Sequence, residues 1–398
     1  MKIGILTFHS QLNYGGVLQC WALKTALEGM GHDVVIVDRW HYPDNCMLKR
    51  EFAQLKPKGW VKLLIRGLLG CGDWGKLLRT IRTIRFVRGL GLTKFHFCDW
   101  SELKHANTSV LKQFDFLIVG SDQVWHCGDW GDPRPYLLEG APEIKAISYA
   151  ASFGMKGVPA DMLALYKRGL GRFIALSCRE KEGVEICRAL GYTATHVVDP
   201  TLLLEPDKWS RLLLSNNQTM KQPDNRVLVC YFMSVDVASA SSLLEEFSKR
   251  MKCTVEVLSD NQPMLRAVPK SVRALWENFR HSRVKICRGY GPKEFVRAFA
   301  SATWILTDSF HAVMFSSIFN CNARFLRPSS AMRAAMFARI EEFASKYVSG
   351  PFFASDVASA LSSLEHGEMV TFDAVQIAAR RSDSMKWLNE AIKGEVER

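Results

Sequence analysis

Short apolar runs alternate with amphipathic segments along most of the chain, and this alternation constrains the fold more than any other feature. Residues 2–8 are typical of a buried strand, residues 17–31 have helical spacing of their apolar side chains, and residues 32–40 read as a second strand. A strand, a helix and a strand in this order form the β-α-β unit that opens a doubly wound parallel sheet. The sequence therefore predicts an α/β protein.

The same alternation returns in the second half of the chain after a polar interruption. Residues 215–226, SNNQTMKQPDNR, have almost no apolar periodicity and are interpreted as a linker. We therefore predict an N-terminal domain over 1–214 with a basic helical insertion at about 56–94, and a C-terminal domain over 227–398 that ends in additional helices. The 398 residues, 48% of them hydrophobic, can form two cores. Two Rossmann-like domains facing each other across a cleft are expected.

The charge of the chain is concentrated in one segment. Ten Lys or Arg residues and a single acid, Asp73, lie between Lys56 and Lys94, and they supply most of the formal net charge of +12. An excess of this kind favours anionic partners such as phosphates, nucleic acid or an acidic membrane surface.

Within this segment the sequence KLLRTIRTIRFVRGLGL predicts a basic amphipathic helix. Its apolar face consists of Leu77, Ile81, Ile84 and Val87, and its basic flank consists of Arg79, Arg82 and Arg85. Either the apolar face contacts an anionic membrane surface, or it packs on the N-terminal domain while the arginines meet water. A third interpretation is a nucleic-acid-binding surface, suggested by the interleaved aromatic residues Trp60, Trp74 and Phe86.

Cysteine spacing and the N-terminus bear on metal binding and location. The eleven cysteines include no CxxC pair, and the closest two are Cys178 and Cys187, so no compact metal site is expected. The apolar stretch that begins MKIGILTFHS is too short for a signal segment or a membrane span. We therefore expect a soluble cytoplasmic protein with reduced cysteines and without a metal.

Polar side chains follow the predicted strands in several loops. In a parallel sheet, ligands bind beyond the carboxyl ends of the strands. In the loop GSDQVW, Asp122 is either a general acid or base or a helix cap. In SCRE, Arg179 either clamps a phosphate or carboxylate, or forms a surface ion pair with Glu180 or Glu182.

Two further loops carry the same kind of signal. The stretch HSQLNYGGVLQ at residues 9–19 has two glycines that let a ligand approach the backbone, although a plain turn is equally compatible with them. The stretch TDSFHAVMFSSIFN places Asp308, Ser309 and His311 at the end of a strand and the start of a helix. A histidine alone in that position is commonly structural, but here two polar residues precede it.

Six motifs in order, NYGGVLQCWAL, FLIVGSDQVW, YAASFG, SCRE, VDPTLLL and TDSFHAVMFSSIFN, resemble the polysaccharide pyruvyl transferase family from residue 3 to about residue 327. The resemblance implies a fold like that of two-domain GT-B glycosyltransferases. It also implies transfer of an enolpyruvyl-derived group from phosphoenolpyruvate to a sugar, which forms a pyruvate ketal and releases phosphate. Phosphoenolpyruvate is then a co-substrate, and no other cofactor is expected.

The resemblance and the loop chemistry together define the predicted site. His311, Asp122 and Asp308 are the predicted catalytic residues, with Asp308 orienting His311 or binding the acceptor. The predicted donor-binding residues are Asn13, Tyr14, Gly15, Gly16, Gln19, Ser121, Arg179 and Ser309.

Two other functions remain as alternatives. The first is a GT-B-type glycosyltransferase that uses a nucleotide sugar, and the second is a nucleic-acid-binding protein that uses residues 56–94. The expected partners are phosphoenolpyruvate and a sugar acceptor of a cell-surface polysaccharide, with no nucleic acid. If the acceptor is lipid-linked, we expect peripheral contact with the anionic inner face of the membrane.

Overall fold

The computed structural model describes residues 1–9, 13–39, 74–94, 109–128, 132–141, 143–213, 226–258, 283–328 and 331–396. They divide into two compact units. The first comprises the described residues of Met1–Trp74, Thr80–Leu204 and Ala378–Arg398, and the second those of Gly75–Arg79 and Glu205–Ile377.

This division differs from the predicted domain boundaries in three places. Gly75–Arg79, which fall within the predicted N-terminal domain, belong to the second unit. The main part of the second unit begins at Glu205, before the predicted end of the first domain, and the C-terminal residues from Ala378 onward return to the first unit. Hydrogen bonds between residues far apart in sequence hold the C-terminal residues in the first unit. For example, Ser384 Oγ accepts a hydrogen bond from the Val198 N–H at 3.1 Å. The predicted linker, apart from Arg226, lies outside the described residues.

Among the described residues, the first unit has six short strands and six α-helices before the C-terminal helix, although residues 75–79 of the second of these helices are assigned to the second unit. They are β1 (Lys2–Leu6), α1 (Tyr14–Gly29), β2 (Asp33–Ile36), α2 (Trp74–Arg88), α3 (Ser109–Lys112), β3 (Phe116–Val119), β4 (Ala146–Ser148), α4 (Leu163–Leu170), β5 (Ser177–Cys178), α5 (Lys181–Ala189), β6 (Thr195–His196) and α6 (Pro200–Leu203). Two single turns of 3-10 helix, Arg134–Leu137 and Ala160–Met162, lie among them.

Four strands of the first unit form a parallel sheet in the order β2-β1-β3-β4. Strands β5 and β6 pair in parallel beside it, linked to it by isolated bridges such as that between Ile147 and Ala175. The segments KIGIL and FLIV read as continuous apolar runs because parallel strands are covered on both faces. Since β1 has β2 on one side and β3 on the other, the topological switch point lies between β1 and β3.

The second unit contains the remaining strands and helices. They are α7 (Pro206–Leu213), β7 (Val227–Tyr231), α8 (Val237–Met251), β8 (Thr254–Leu258), β9 (Val284–Cys287), α9 (Pro292–Ser301), β10 (Trp304–Thr307), α10 (Phe310–Ile318), β11 (Asn322–Leu326), α11 (Ala331–Tyr347), β12 (Val348–Ser349), β13 (Phe353–Ala354), α12 (Val357–Glu365), β14 (Thr371–Phe372) and α13 (Ala374–Lys393), the last of which continues into the first unit.

Six strands of the second unit form a parallel sheet in the order β13-β11-β10-β7-β8-β9. Its switch point lies between β7 and β10. After β7 the next strands, β8 and β9, are added on one side, whereas β10, β11 and β13 are added on the other. Strands β12 and β14 form a separate antiparallel pair. Two parallel sheets, each built from alternating strands and helices, confirm the predicted α/β class with two Rossmann-like domains.

The described part of the basic segment is residues 74–94, most of which form helix α2, and residues 56–73 lie outside the described residues. Ile84 and Val87 are buried, so this part of the predicted apolar face packs against protein. Arg79, predicted on a solvated flank, is also buried, whereas Arg85 and Arg88 are exposed. Among the described residues, no helix combines the length and the apolar character needed to cross a membrane.

Candidate active site

Loops from β1 and β3 meet at the switch point of the first unit. Thr7, which follows β1, donates its hydroxyl hydrogen to the carbonyl oxygen of Ser121 at 3.0 Å. The buried side-chain amide of Gln19 donates to Thr7 Oγ1 and to the Gly16 carbonyl, both at 2.8 Å. Gln19, predicted to bind the donor, therefore uses its N–H groups to join helix α1 to the loop after β1.

Helix α1 begins at this switch point. Asn13 is its N-cap, and Asn13 Oδ1 accepts a hydrogen bond from the Gly15 N–H at 2.8 Å. A side chain at Gly16 would place its Cβ 3.4 Å from Asp122 Oδ2 and 3.4 Å from the Phe8 carbonyl oxygen. Glycine at this position thus lets the carboxylate of Asp122 lie beside the first turn of the helix.

The backbone of Asp122 is fixed in the left-handed region, with a φ of 64°. Its carbonyl oxygen accepts from the Val124 N–H at 2.8 Å and from the Ser152 N–H at 3.0 Å, and its Oδ1 accepts from the Gln123 N–H at 2.9 Å. Its Oδ2 accepts no hydrogen bond from the described residues. The side chain therefore presents one anchored oxygen and one available oxygen.

Arg179 follows β5 and is surrounded by three carboxylates. Its Nη1 lies 2.9 Å from Asp199 Oδ2, its Nη2 lies 3.5 Å from Asp122 Oδ1, and its Nε lies 3.9 Å from Glu180 Oε2. Burial opposes the charge of the guanidinium, but the carboxylates of Asp199, Asp122 and Glu180 outweigh it and raise the pKa of Arg179. The alternative of a surface ion pair does not apply, since only 1% of this side chain is exposed.

Asp199 is a buried member of this cluster to which the sequence analysis gave no role. It is the N-cap of α6, and its Oδ1 accepts from the Thr201 N–H at 2.9 Å and the Thr201 hydroxyl at 2.7 Å. Its other oxygen lies 3.5 Å from Ser121 Oγ as well as close to Arg179. The signal was present in the motif VDPTLLL, where an Asp before a Pro marks the start of a helix.

Two further basic residues lie at the carboxyl ends of β1 and β2 and were also missed. His9 is buried, with Nε2 2.9 Å from Asp38 Oδ1 and Nδ1 3.1 Å from the Thr7 carbonyl oxygen. The guanidinium of Arg39 lies 4.4 Å from the centre of the Tyr136 ring. The pKa of Tyr136 is raised. Burial is the largest cause of this shift, and the charge of Arg39 opposes it.

In the second unit the predicted residues lie at its own switch point. Asp308 follows β10, and its Oδ1 accepts from the Met233 N–H at 2.5 Å. Its Oδ2 accepts from the Ser234 N–H at 2.7 Å and from the Ser234 hydroxyl. Asp308 thereby holds the loop after β7, and it makes no hydrogen bond to His311 among the described residues.

Helix α10 begins at Phe310, two residues after Asp308, without a side-chain cap. Ser309 occupies the N-cap position, but its hydroxyl makes no hydrogen bond with the described residues although Ser309 is only 7% exposed. His311, in the first turn, lies with its ring 5.5 Å from the ring of Phe310. The guanidinium of Arg339, from α11, lies over the ring of Phe310, 5.3 Å from its centre. A hydroxyl, a histidine and an arginine are thus gathered at the start of one helix.

The structure therefore brings the predicted residues together in two groups. The first unit holds Asn13, Tyr14, Gly15, Gly16, Gln19, Ser121, Asp122 and Arg179, and the second holds Asp308, Ser309 and His311. In the described part of the chain, no group of three or more His, Cys, Asp or Glu side chains is arranged to hold a metal ion.

Two Rossmann-like units, each with polar loops at the switch point of a parallel sheet, define an α/β protein of GT-B type. The family follows from the sequence: the polysaccharide pyruvyl transferase model matches residues 13–330. The chain belongs to the polysaccharide pyruvyl transferase family.

Solved structures agree with this fold. UDP-GlcNAc 2-epimerase from Neisseria meningitidis, bound to UDP-GlcNAc, has a TM-score of 0.54 and 10% identity over 98% of this chain and 99% of that chain. UDP-N-acetylglucosamine 2-epimerase from Rickettsia bellii has a TM-score of 0.51 and 10% identity over 98% and 95% of the two chains. At these identities the likeness concerns the fold alone. No curated protein sequence matches the chain.

Proposed function

We propose that this transferase uses phosphoenolpyruvate as its donor and forms a pyruvate ketal on a sugar of a cell-surface polysaccharide or its lipid-linked precursor. The observation that carries the proposal is the carboxylate of Asp122, fixed through one oxygen and available through the other, in a chain of this family.

The chemistry requires two C–O bonds and one C–H bond to form. Two hydroxyl oxygens of the sugar bond to C2 of the donor, the bond between C2 and the phosphate oxygen breaks, and the methylene carbon gains a proton to become a methyl group. One hydroxyl proton balances that new C–H bond and the other leaves with the phosphate. A base that accepts a hydroxyl proton and an acid that protonates carbon are therefore needed.

We assign proton transfer to Asp122 and His311, each at the switch point of its unit. Asp122 Oδ2 accepts no hydrogen bond from the described residues, so it is available to a hydroxyl group. His311 lies in the first turn of α10, where the helix dipole favours a negative ligand.

The donor carries a phosphate and a carboxylate, and we assign one of these groups to the start of α10. The uncapped helix, the Ser309 hydroxyl and the Arg339 guanidinium over Phe310 together supply hydrogen-bond donors and a positive charge. In the first unit, the backbone of Gly15 and Gly16 remains the proposed contact with the rest of the donor or with the acceptor.

Product release distinguishes this activity from that of a nucleotide-sugar glycosyltransferase. The enzyme would be incubated with phosphoenolpyruvate or with UDP-sugars and a panel of sugar acceptors, and released phosphate and UDP would be measured. We expect phosphate release that depends on an acceptor, and a rise in melting temperature with phosphoenolpyruvate, since a ligand at 100 times its Kd adds about 2.7 kcal/mol. Release of UDP instead would establish the alternative function.

A further inference from the structure

The cluster around Arg179 has the wrong charge balance for an anion-binding site. One guanidinium lies among the carboxylates of Asp199, Asp122 and Glu180, and the Arg179 side chain is 1% exposed. Charges in a buried site are screened weakly, so a phosphate brought to this cluster meets more negative than positive charge. The role predicted for Arg179 from sequence, anchoring the donor, therefore conflicts with its surroundings.

Arg179 is bonded to a carboxylate that is itself held in place. Its Nη1 lies 2.9 Å from Asp199 Oδ2, while Asp199 Oδ1 is held at 2.9 Å and 2.7 Å by the backbone and hydroxyl of Thr201. Both oxygens of Asp199 are thus engaged, and Asp199 is 2% exposed. Arg179 is consequently attached to a rigid support at the start of α6.

From that support the guanidinium reaches the catalytic carboxylate. Its Nη2 lies 3.5 Å from Asp122 Oδ1, the oxygen that also accepts from the Gln123 N–H at 2.9 Å. Both contacts fall on the same oxygen, so they turn Oδ2 toward Gly16 and the first turn of α1.

We propose that Arg179 is a positioning residue: supported by Asp199, it holds Asp122 Oδ1 so that Oδ2 faces the acceptor hydroxyl. This inference rests on the proposed function, because it assigns proton transfer to Asp122. Arg179 then acts on turnover through Asp122 and contributes little to the affinity for phosphoenolpyruvate.

A double-mutant cycle tests the proposal with Arg179→Gln, Asp122→Asn and the double variant, and with Arg188→Gln as control. Arg188 is an exposed arginine on α5 that pairs, among the described residues, only with the exposed Glu185. We expect Arg179→Gln to lower kcat at least 100-fold while the Kd of phosphoenolpyruvate, measured by calorimetry, stays within threefold. The double variant should be no slower than Asp122→Asn alone. A tenfold weaker Kd at unchanged kcat, or independent losses that multiply, would overturn the proposal.

Two measurements keep the outcome interpretable. If Arg179→Gln does not fold, Asp199→Asn preserves the shape of the support and should lower kcat in the same way, again without weakening the donor. If the wild-type enzyme releases no phosphate from phosphoenolpyruvate, the proposed function fails. A crystal structure of Arg179→Gln or Asp199→Asn then still decides the positioning role: an Asp122 carboxylate that stays beside Gly16 refutes it, and a displaced one supports it.

Discussion

Arg179 Nη1 lies 2.9 Å from Asp199 Oδ2, and both side chains are 1% exposed. A charge-assisted bond between two buried ions is costly to break, because the remaining ion is left without its partner in a poorly solvating environment. The pair joins the end of β5 to the start of α6, two elements on which the candidate site depends.

The first prediction concerns the stability that this pair confers. Asp199→Ala should lower the free energy of unfolding by about 3–5 kcal/mol, since it removes the nearest of the three carboxylates around a buried guanidinium and also the cap of α6. Urea denaturation measures the change. Asp132→Ala is the control, because it removes an exposed ion pair with Arg134 and should cost about 1 kcal/mol or less. Equal losses of unfolding free energy in the two variants would show that the buried pair stabilises the fold no more than the exposed pair does.

The second prediction concerns His311. General acid or base catalysis typically contributes about 10²–10⁴ in rate, so His311→Ala should lose turnover on that scale and retain donor binding. Acceptor-dependent phosphate release gives kcat, and calorimetry gives the Kd of phosphoenolpyruvate. His366→Ala, at the exposed end of α12, should match the wild type. A His311→Ala enzyme within threefold of wild type would leave proton transfer to Asp122 alone.

The third prediction concerns Arg339, the arginine assigned to donor binding. A hydrogen bond to a charged group contributes about 1.5–3 kcal/mol, so Arg339→Gln should weaken phosphoenolpyruvate binding at least tenfold. Arg250→Gln, at the end of α8 in the same unit, removes an exposed arginine that pairs with Glu246 and Glu365 and should leave the Kd unchanged. If Arg339→Gln binds the donor as tightly as wild type, the anion site at the start of α10 is refuted.

The fourth prediction concerns Gly120, two residues before Asp122. Gly120 has a φ of 109°, and a Cβ there would lie 2.5 Å from the Tyr149 carbonyl oxygen, whereas Gly191 has a φ of 89° and nothing within 4 Å. Alanine at Gly191 should cost about 1–2 kcal/mol from backbone strain alone. Alanine at Gly120 should cost about 1–3 kcal/mol more, because the backbone of β4's exit loop must move. Similar melting temperatures for the two variants would contradict this.

The strands and the loops after them were predictable because their signals are local. A strand buried on both faces must be apolar throughout, and a polar loop after it lies at the carboxyl edge of the sheet. This local signal is what makes Asp122, Arg179, Asp308 and His311 candidate site residues.

The partners of these residues were not predictable, because they come from distant parts of the chain. Asp308 is bonded to residues 233–234, and Arg339 reaches Phe310 from a different helix. The return of the chain to the first unit at Ala378 depends on contacts such as that of Ser384 with Val198. A sequence pattern indicates which face a residue occupies, but it does not indicate which distant group meets it there.

The last prediction concerns peripheral contact with a membrane. Since Ile84 and Val87 are buried, helix α2 cannot insert this part of its apolar face. We therefore expect the charge of exposed residues such as Arg85 and Arg88 to attract the helix to a lipid surface. Each Lys or Arg near an anionic leaflet contributes about 1 kcal/mol, so the variant Arg85→Gln/Arg88→Gln should bind anionic vesicles about 30-fold more weakly. Co-sedimentation with phosphatidylserine-containing and neutral vesicles measures this.

The control for that experiment has the same net charge. Arg168→Gln/Arg188→Gln removes two exposed arginines elsewhere in the first unit, which pair with Glu139 and Glu185. It should bind anionic vesicles as the wild type does, because the helix α2 arginines are intact. Binding by the wild type should also weaken as salt is added, since the attraction is screened over about 10 Å at 0.1 M. Equal binding by the two double variants would exclude α2 as the contact and favour a soluble sugar as the acceptor.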